Sequence, residues 1–197
     1  MTARHHQQGI TLIEMMVTLS IVAIIVALAG PPYRDFVQNQ RLSAAASELQ
    51  RALSYARAEA MTRARRVTVC ASSNTTSCAA KAAGDWRQGW IVFVDDGTTI
   101  GLLDAGSTTE VILRVHQGPL NGVTAASSGT KLAPRLSDTT LYVSYTGTGY
   151  AQFADGGFQE GSIFFCDGRG VPFAKSVDVM ATGMPRVDSA AGSDPGC

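Results

Sequence analysis

The sequence predicts an α+β protein in which a long N-terminal helix, with a transmembrane first part, precedes an antiparallel, sandwich-like β domain. Three observations lead to this prediction. They are a twenty-residue apolar run from residue 10, an apolar stripe at helical spacing over residues 42–60, and short β-branched and aromatic runs from residue 67 onward. With 197 residues, 45% of them hydrophobic, the chain can form one domain with its own core beside an anchor.

Composition narrows the classes of function. Lys and Arg number 16 and Asp and Glu also 16, so no overall basic excess indicates nucleic-acid binding, which would need a local patch. The sequence has no Cys-x-x-Cys, and His116 is its sole histidine beyond the first nine residues, which argues against a zinc site. Four cysteines in a Gly-, Ser- and Thr-rich sequence indicate two disulfides and an oxidising compartment.

The first thirty residues divide into a short polar segment, residues 1–9, and an apolar segment, residues 10–30. At about 1.5 Å per residue the apolar segment matches a hydrocarbon layer roughly 30 Å thick, so we expect a transmembrane helix. The positive charge of Arg4 predicts a cytoplasmic N-terminus. An ordinary signal peptide is the alternative, because Ala27 and Ala29 form the A-x-A pattern of a signal-peptidase site. The apolar region of a signal peptide normally spans about 7–15 residues, however, and the segment here is longer.

Glu14 places a carboxylate inside the apolar segment. A charge at the centre of a bilayer costs about 2.5–3.5 kcal/mol on insertion scales, so such a residue is usually functional and paired. The alternative is that Glu14 lies close enough to the membrane surface for its carboxylate to reach water. Its position in the sequence leaves both interpretations open.

Residues 9–14, with the sequence GITLIE, and the apolar run after them resemble the signal of type IV prepilins and type II secretion pseudopilins. The resemblance implies that a prepilin peptidase cleaves after Gly9 and that the new N-terminus at Ile10, usually Phe in the family, is N-methylated. It also implies that Glu14 helps to register subunits during assembly. Its partner would be the α-amino group of a neighbouring subunit, which is charged near neutral pH because its pKa is about 7.7–8.

The resemblance also implies where the protein works. It implies a single-pass protein of the bacterial inner membrane, with the C-terminal domain in the periplasm and associated with a filament once assembled. The implied partners are other pilins or pseudopilins through the N-terminal helix, the prepilin peptidase and the inner-membrane assembly platform. No cofactor is implied.

Residues 31–64 are predicted to continue the helix with an amphipathic pattern. Pro31 and Pro32 predict a kink or a locally melted segment, because a proline inside a helix costs about 3 kcal/mol. Beyond them, apolar residues at spacings of three and four are expected to pack the helix on its own β domain. These residues are Leu42, Ala45, Ala46, Leu49, Leu53, Ala56 and Ala60.

Three arginines, Arg63, Arg65 and Arg66, close the predicted helix. Cations at this end complement the helix dipole, which explains them without a ligand. Phosphate binding by the three guanidinium groups is the alternative.

Residues 65–197 are predicted to form the β domain. The sequence predicts strands at residues 67–70, 90–94, 111–115, 141–145, 162–166 and 177–182. Residues 118–134, rich in small and polar residues, are expected to form a long loop or a loose hairpin. We predict disulfides Cys70–Cys78, closing a short polar loop, and Cys166–Cys197, fixing the C-terminal tail to a strand.

Three segments resemble the GspH/FimT family in particular. They are ARAEAMTRARRVTVC at residues 56–70, DWRQGWIVF at residues 85–93, and FCDGRG at residues 165–170 followed by Thr182-Gly183. The family includes the minor pseudopilin H of type II secretion and the FimT and FimU minor pilins. The resemblance therefore implies a structural subunit of low copy number at or near the tip of a filament.

DNA uptake is the alternative function. FimT-type pilins bind DNA through a Gly-Arg-x-Arg segment, and the matching residues here are Gly183-Met184-Pro185-Arg186, in which Met184 replaces the first arginine. Arg186 and Arg169 are the candidate DNA contacts. The carboxylates of the C-terminal tail oppose phosphate binding, so we favour the structural subunit.

The remaining conspicuous residues are predicted to have structural roles, with no catalytic or metal-binding role. Trp86 and Trp90 are expected to pack in the sheet, and residues 95–97 resemble a turn more than a calcium loop. His116 lacks a local nucleophile motif, so the sequence predicts no catalytic residues and no enzyme. A membrane-tethered periplasmic enzyme is only a remote alternative.

Overall fold

The computed structural model describes residues 10–79, 86–104, 106–118, 122–128 and 142–189. Helix α1 (Leu12–Arg63) comes first and is followed in the described residues by eight strands and two short 3-10 helices. The chain divides into two compact units, residues 1–38 and residues 39–197.

The strands form two antiparallel four-stranded sheets. Their bounds are β1 (Val67–Ala71), β2 (Gly89–Val94), β3 (Ile112–Gln117), β4 (Thr124–Ser128), β5 (Tyr142–Tyr145), β6 (Gly161–Cys166), β7 (Lys175–Val179) and β8 (Pro185–Ser189). The first sheet has the order β3-β2-β1-β5 and the second the order β4-β6-β7-β8. The 3-10 helices are Trp86–Gln88 and Val171–Phe173. This architecture confirms the predicted helix followed by a sandwich-like β domain.

The second half of α1 and both sheets share one core. The first sheet contributes Val69 and Val92, and the second contributes Phe165 and Val177. The predicted apolar stripe of the helix is confirmed, because all seven of its residues belong to this core and each is at most 2% exposed. Burial of a complete helix face against two sheets is the main source of stability for such a layered domain.

In the N-terminal unit, α1 begins where Thr11 can cap it. The Thr11 hydroxyl oxygen accepts a hydrogen bond of 3.3 Å from the backbone N–H of Glu14, which satisfies one of the free amides of the first turn. Within the described residues, no helix is both long enough and apolar enough to span a membrane. The transmembrane assignment of residues 10–30 remains a prediction from the sequence, as do the other domain boundaries.

Of the kink or melted segment predicted at Pro31 and Pro32, the melted segment is wrong, because α1 continues through both residues, and the kink stays a prediction. A proline removes its own amide hydrogen bond and disturbs the turn before it. Hydrogen bonds of the neighbouring turns are still made, and adding a residue to an existing helix is far easier than starting a new one. The helix therefore tolerates the two prolines without ending.

Two observed strands are absent from the prediction, and the predicted strand at residues 177–182 differs most from its observed bounds. Strand β4 lies within residues 118–134, where a long loop or a loose hairpin is predicted, and pairs with β6 from Thr124 opposite Cys166 to Ser128 opposite Ser162. Its sequence TAASS has little intrinsic strand preference, so pairing with β6 decides its structure. Strand β7 ends at Val179, and the chain turns back at residues 180–184 into the unpredicted β8.

Helix α1 ends in a Schellman-type cap. The backbone N–H of Arg65 donates to the carbonyl oxygen of Ala60 at 3.2 Å, and Ala64 has a positive φ of 51°. A left-handed conformation is costly for alanine because its Cβ crowds the backbone, and glycine is the usual residue at this position.

We expect Ala64→Gly to raise the free energy of unfolding by about 1 kcal/mol, because glycine relieves this strain. The measurement is denaturant unfolding of the full-length protein in detergent, followed by tryptophan fluorescence. Ala58→Gly, at an exposed position inside the same helix, is the matched control and should lower stability by about 1 kcal/mol. Destabilisation by both changes would contradict the role of the left-handed cap.

Candidate functional site

The start of α1 presents an apolar surface on all sides. The large apolar residues between Ile10 and Val26 are each between 49% and 79% exposed in the single chain. A helix that is apolar all round is stable only when lipid or other helices cover it. This segment is therefore the strongest candidate for a functional surface in the N-terminal unit.

Glu14 lies in the first turn of α1, where a carboxylate is favoured by the helix dipole. Residues 11–14 have the T-x-x-E spacing of a capping box, a local signal for a helix start that the predictions from sequence did not use. The observed half of the box is the bond from the Glu14 amide to the Thr11 hydroxyl. Gly9 lies outside the described residues, and the predicted roles of Gly9, Ile10 and Glu14 remain predictions.

The Cys70–Cys78 disulfide is confirmed. Hydrogen bonds order the loop that it closes: the Ser72 hydroxyl donates to the carbonyl oxygen of Ser77 at 2.7 Å, and the Asn74 side-chain oxygen accepts from the Ser77 amide at 2.9 Å. Cys166 is also disulfide-bonded. Cys197 lies outside the described residues, so the pairing Cys166–Cys197 stays a prediction.

Ion pairs and hydrogen bonds within the protein occupy the three arginines at the end of α1. Arg63 contacts the Glu59 carboxylate at 2.6 Å, and Arg65 pairs with Asp96. The half-buried guanidinium of Arg66 donates to Ser144 Oγ at 3.0 Å and to a backbone carbonyl at 2.8 Å. These contacts favour the structural interpretation of the three arginines over phosphate binding.

Asp95 belongs to a buried polar network beside Arg66. Its carboxylate lies 2.5 Å from the Thr68 hydroxyl and accepts the Gly101 amide at 2.9 Å. Burial raises the pKa of Asp95, and these hydrogen bonds oppose that change. In the described part of the chain, no group of three or more His, Cys, Asp or Glu residues is placed to hold a metal ion.

The candidate DNA contacts Arg169 and Arg186 do not form a free basic patch. Arg169 contacts the Asp167 carboxylate at 2.6 Å and lies over the ring of Phe173 at 4.2 Å. Its hydrogen bonds hold the pKa of Asp167 below the usual range. Arg186 is exposed on the edge strand β8, with Asp188 at 3.5 Å and Asp178 opposite it on β7.

A groove between α1 and β3 is a site that the predictions from sequence missed. The His116 ring stacks on Trp90 with 3.9 Å between ring centroids, and its Nδ1 lies 3.0 Å from a carboxylate oxygen of Glu48. Arg51 and Arg114 line the same groove, which has a volume of about 160 Å³. Trp86 and Trp90 are each 2% exposed, which confirms them as packing aromatics.

Two family models match this chain, one at its N-terminus and one over the second half of α1 and the β domain. The family model of the type II transport protein GspH matches residues 45–183, and the model of the prokaryotic N-terminal methylation motif matches residues 4–30. Fimbrial protein EcpC of Eikenella corrodens is 44% identical over 39 residues, which are 20% of this chain. The match spans only 26% of the length of EcpC.

Matches among solved structures include a minor pilin and a minor pseudopilin. The type IV minor pilin FimU of Pseudomonas aeruginosa is 21% identical, with 79% of this chain and 94% of the FimU chain covered and a TM-score of 0.52. The minor pseudopilin EpsH from the type 2 secretion system of Vibrio cholerae is 12% identical, with 77% and 98% covered and a TM-score of 0.43. The similarity to FimU shows that the fold is pilin-like.

Proposed function

Since this chain belongs to the family of the type II transport protein GspH, we propose that it is a minor pilin or pseudopilin, a structural subunit of a type IV pilus or a type II secretion pseudopilus. This proposal rests on the presence of two features in one chain. An exposed apolar helix start with the N-terminal methylation motif precedes a β domain of the GspH type. This composition suits a subunit stored in a membrane and later packed into a filament.

The proposed mechanism is mechanical. The inner membrane holds the apolar segment, with the β domain in the periplasm, and prepilin peptidase cleaves after Gly9. The assembly platform then draws the subunit into a helical bundle, where Glu14 pairs with the α-amino group of a neighbour. At or near the filament tip, the β domain contacts other subunits and primes assembly. No step in this sequence requires catalysis by the chain itself.

Processing tests the first step. Co-expression with a prepilin peptidase should give a mature chain that begins at Ile10 and carries one N-terminal methyl group, measured by mass spectrometry of the intact protein. Gly9→Val should leave the chain uncut. Ala29→Leu is the matched control, because it should change nothing here but would block an ordinary signal peptidase at its A-x-A pattern. A mature N-terminus at Gly30 would refute the proposal.

DNA uptake is the second candidate, and the C-terminal segment motivates it. The internal contacts of Arg169 and the acidic neighbours of Arg186 oppose it, since affinity for DNA depends on the number of phosphate charges neutralised. We expect the full-length protein in detergent to show no saturable binding to a labelled duplex at about 50 or about 200 mM salt. Salt-sensitive binding that weakens with Arg186→Ala would instead assign the protein to DNA uptake.

A further inference from the structure

Among the described strands, β3 is an edge strand of the first sheet. It pairs with β2 on one side, and no described strand pairs with it on the other. The Gly118 amide donates to the carbonyl of Gln88 at 2.9 Å, and the direction of such bonds alternates along an antiparallel ladder. Residues 114 and 116 therefore bond to β2, whereas Val115 and Gln117 direct their amide and carbonyl groups toward the open edge.

The two faces of this edge differ in chemistry. Arg114 and His116 lie on the α1 side, where they line the groove together with Glu48 and Arg51. Val115 lies between these two residues on the strand, so its side chain alternates with theirs; it also borders the groove and is 49% exposed. A strand added beside β3 would place every second side chain near the cationic residues and the others near valine.

Among the described residues that line the groove, guanidinium groups outnumber carboxylates. Glu48 is the carboxylate that contacts both Arg51, at 3.5 Å, and His116, at 3.0 Å. Arg114 lies over the ring of Tyr55 at 4.1 Å and forms no ion pair among the described residues. Two guanidinium groups therefore line the groove with one carboxylate, a charge balance that favours an incoming negative charge.

We propose that the open edge of β3 binds an extended segment of another protein by strand addition, and that this segment alternates acidic and apolar residues. Backbone hydrogen bonds to Val115 and Gln117 supply the pairing. Acidic side chains enter the groove toward Arg51 and Arg114, and apolar side chains cover Val115. This binding site goes beyond the role of filament subunit, because it recognises a sequence pattern and operates without a filament.

The test is binding of a fluorescein-labelled heptapeptide of alternating aspartate and valine to the full-length protein in detergent, measured by anisotropy. A peptide of the same composition with its aspartates grouped at one end tests alternation, and an alternating lysine and valine peptide tests charge. We expect the alternating acidic peptide to bind at least ten times more tightly than either control. No saturable binding, or equal affinity for the grouped peptide, would overturn the proposal.

Variants of the chain separate the two contributions. Arg114→Glu and Arg51→Glu should each weaken binding at least tenfold, whereas Arg186→Glu, an exposed arginine on another edge strand, should leave affinity within twofold. Val115→Pro removes one outward amide and should also weaken binding tenfold, because proline is tolerated on an edge strand. Tryptophan fluorescence checks the fold of each variant.

Val115→Pro and Arg51→Glu test the proposed binding site independently of each other. Should Val115→Pro alter the fold, Arg51→Glu decides, since Arg51 is exposed on the helix and wild-type affinity in that variant would refute the site. A well-folded Val115→Pro with wild-type affinity would refute strand addition. Processing after Gly9 is measured separately, so failure of peptide binding leaves the proposed function standing.

Discussion

Gly183→Ala is expected to lower the free energy of unfolding by about 3 kcal/mol. Gly183 has a positive φ of 79°, which alanine adopts only with strain. An added Cβ would also lie 2.2 Å from the carbonyl oxygen of Gly149, a backbone atom that cannot rotate away. The measurement is denaturant unfolding of the full-length protein in detergent, followed by fluorescence of Trp86 and Trp90, which both report on the β domain.

Gly156→Ala is a control that separates the cost of backbone strain from the cost of a steric clash. Gly156 has a similar positive φ of 84°, but no atom lies within 4 Å of the position that an added Cβ would take. This control should cost about 1 kcal/mol, the backbone strain alone. Equal losses in the two variants would show that the close approach to Gly149 contributes nothing.

The contact at Gly183 matters because it joins the two sheets near the end of α1. The turn at residues 180–184 connects β7 to β8, and Gly149 belongs to the turn that follows β5. Arg57 on α1 donates to the carbonyl oxygens of Gly149, at 2.9 Å, and Thr182, at 3.3 Å. Gly183→Ala would thus disturb a junction of helix, first sheet and second sheet.

The parts of the fold that could be predicted are those with a strong periodic signal. Leu49 and Leu53 identify the buried helix face by spacing alone, and their burial follows from the apolar stripe. Strands β1, β2 and β6 are rich in β-branched and aromatic residues, so local preference and tertiary structure agree. The short spacing of Cys70 and Cys78 likewise made their pairing the simplest choice.

The remainder depends on contacts between distant residues. Strand β4 has a weak local preference and exists because β6 offers a free edge to it. The groove beside β3 brings Glu48 and His116 together over 68 positions of sequence, which no local pattern records. Arg65 pairs with Asp96, and Arg169 pairs with Asp167. These ion pairs cannot be read from the sequence, in which both arginines look like free cations.

Glu14→Gln should permit cleavage after Gly9 but reduce incorporation into filaments at least tenfold. The expected partner of Glu14 is a neighbour's α-amino group, and two unit charges about 4 Å apart attract by about 4 kcal/mol at an effective dielectric constant of about 20. Glutamine keeps the size of the side chain and loses this attraction. The measurement is the amount of the subunit in sheared filaments, relative to the amount in the membrane fraction of the same cells.

Glu48→Gln is the control for a general effect of removing a carboxylate from α1, and it should leave incorporation within twofold. Normal incorporation of Glu14→Gln would refute the charge pairing. Loss of cleavage in that variant would instead place Glu14 in peptidase recognition, an earlier step. The ratio of mature to uncut chain distinguishes these two outcomes.

Thr11 allows the charge of Glu14 to be tested apart from its place in the helix. The capping bond uses the backbone amide of residue 14, so Glu14→Gln preserves it, whereas Thr11→Val removes its acceptor and keeps the carboxylate. Loss of a cap costs about 1 kcal/mol, well below the attraction expected for the ion pair. Incorporation should therefore fall much less with Thr11→Val than with Glu14→Gln. Equal losses would mean that the start of the helix, and not the charge, controls the entry of the subunit into the filament.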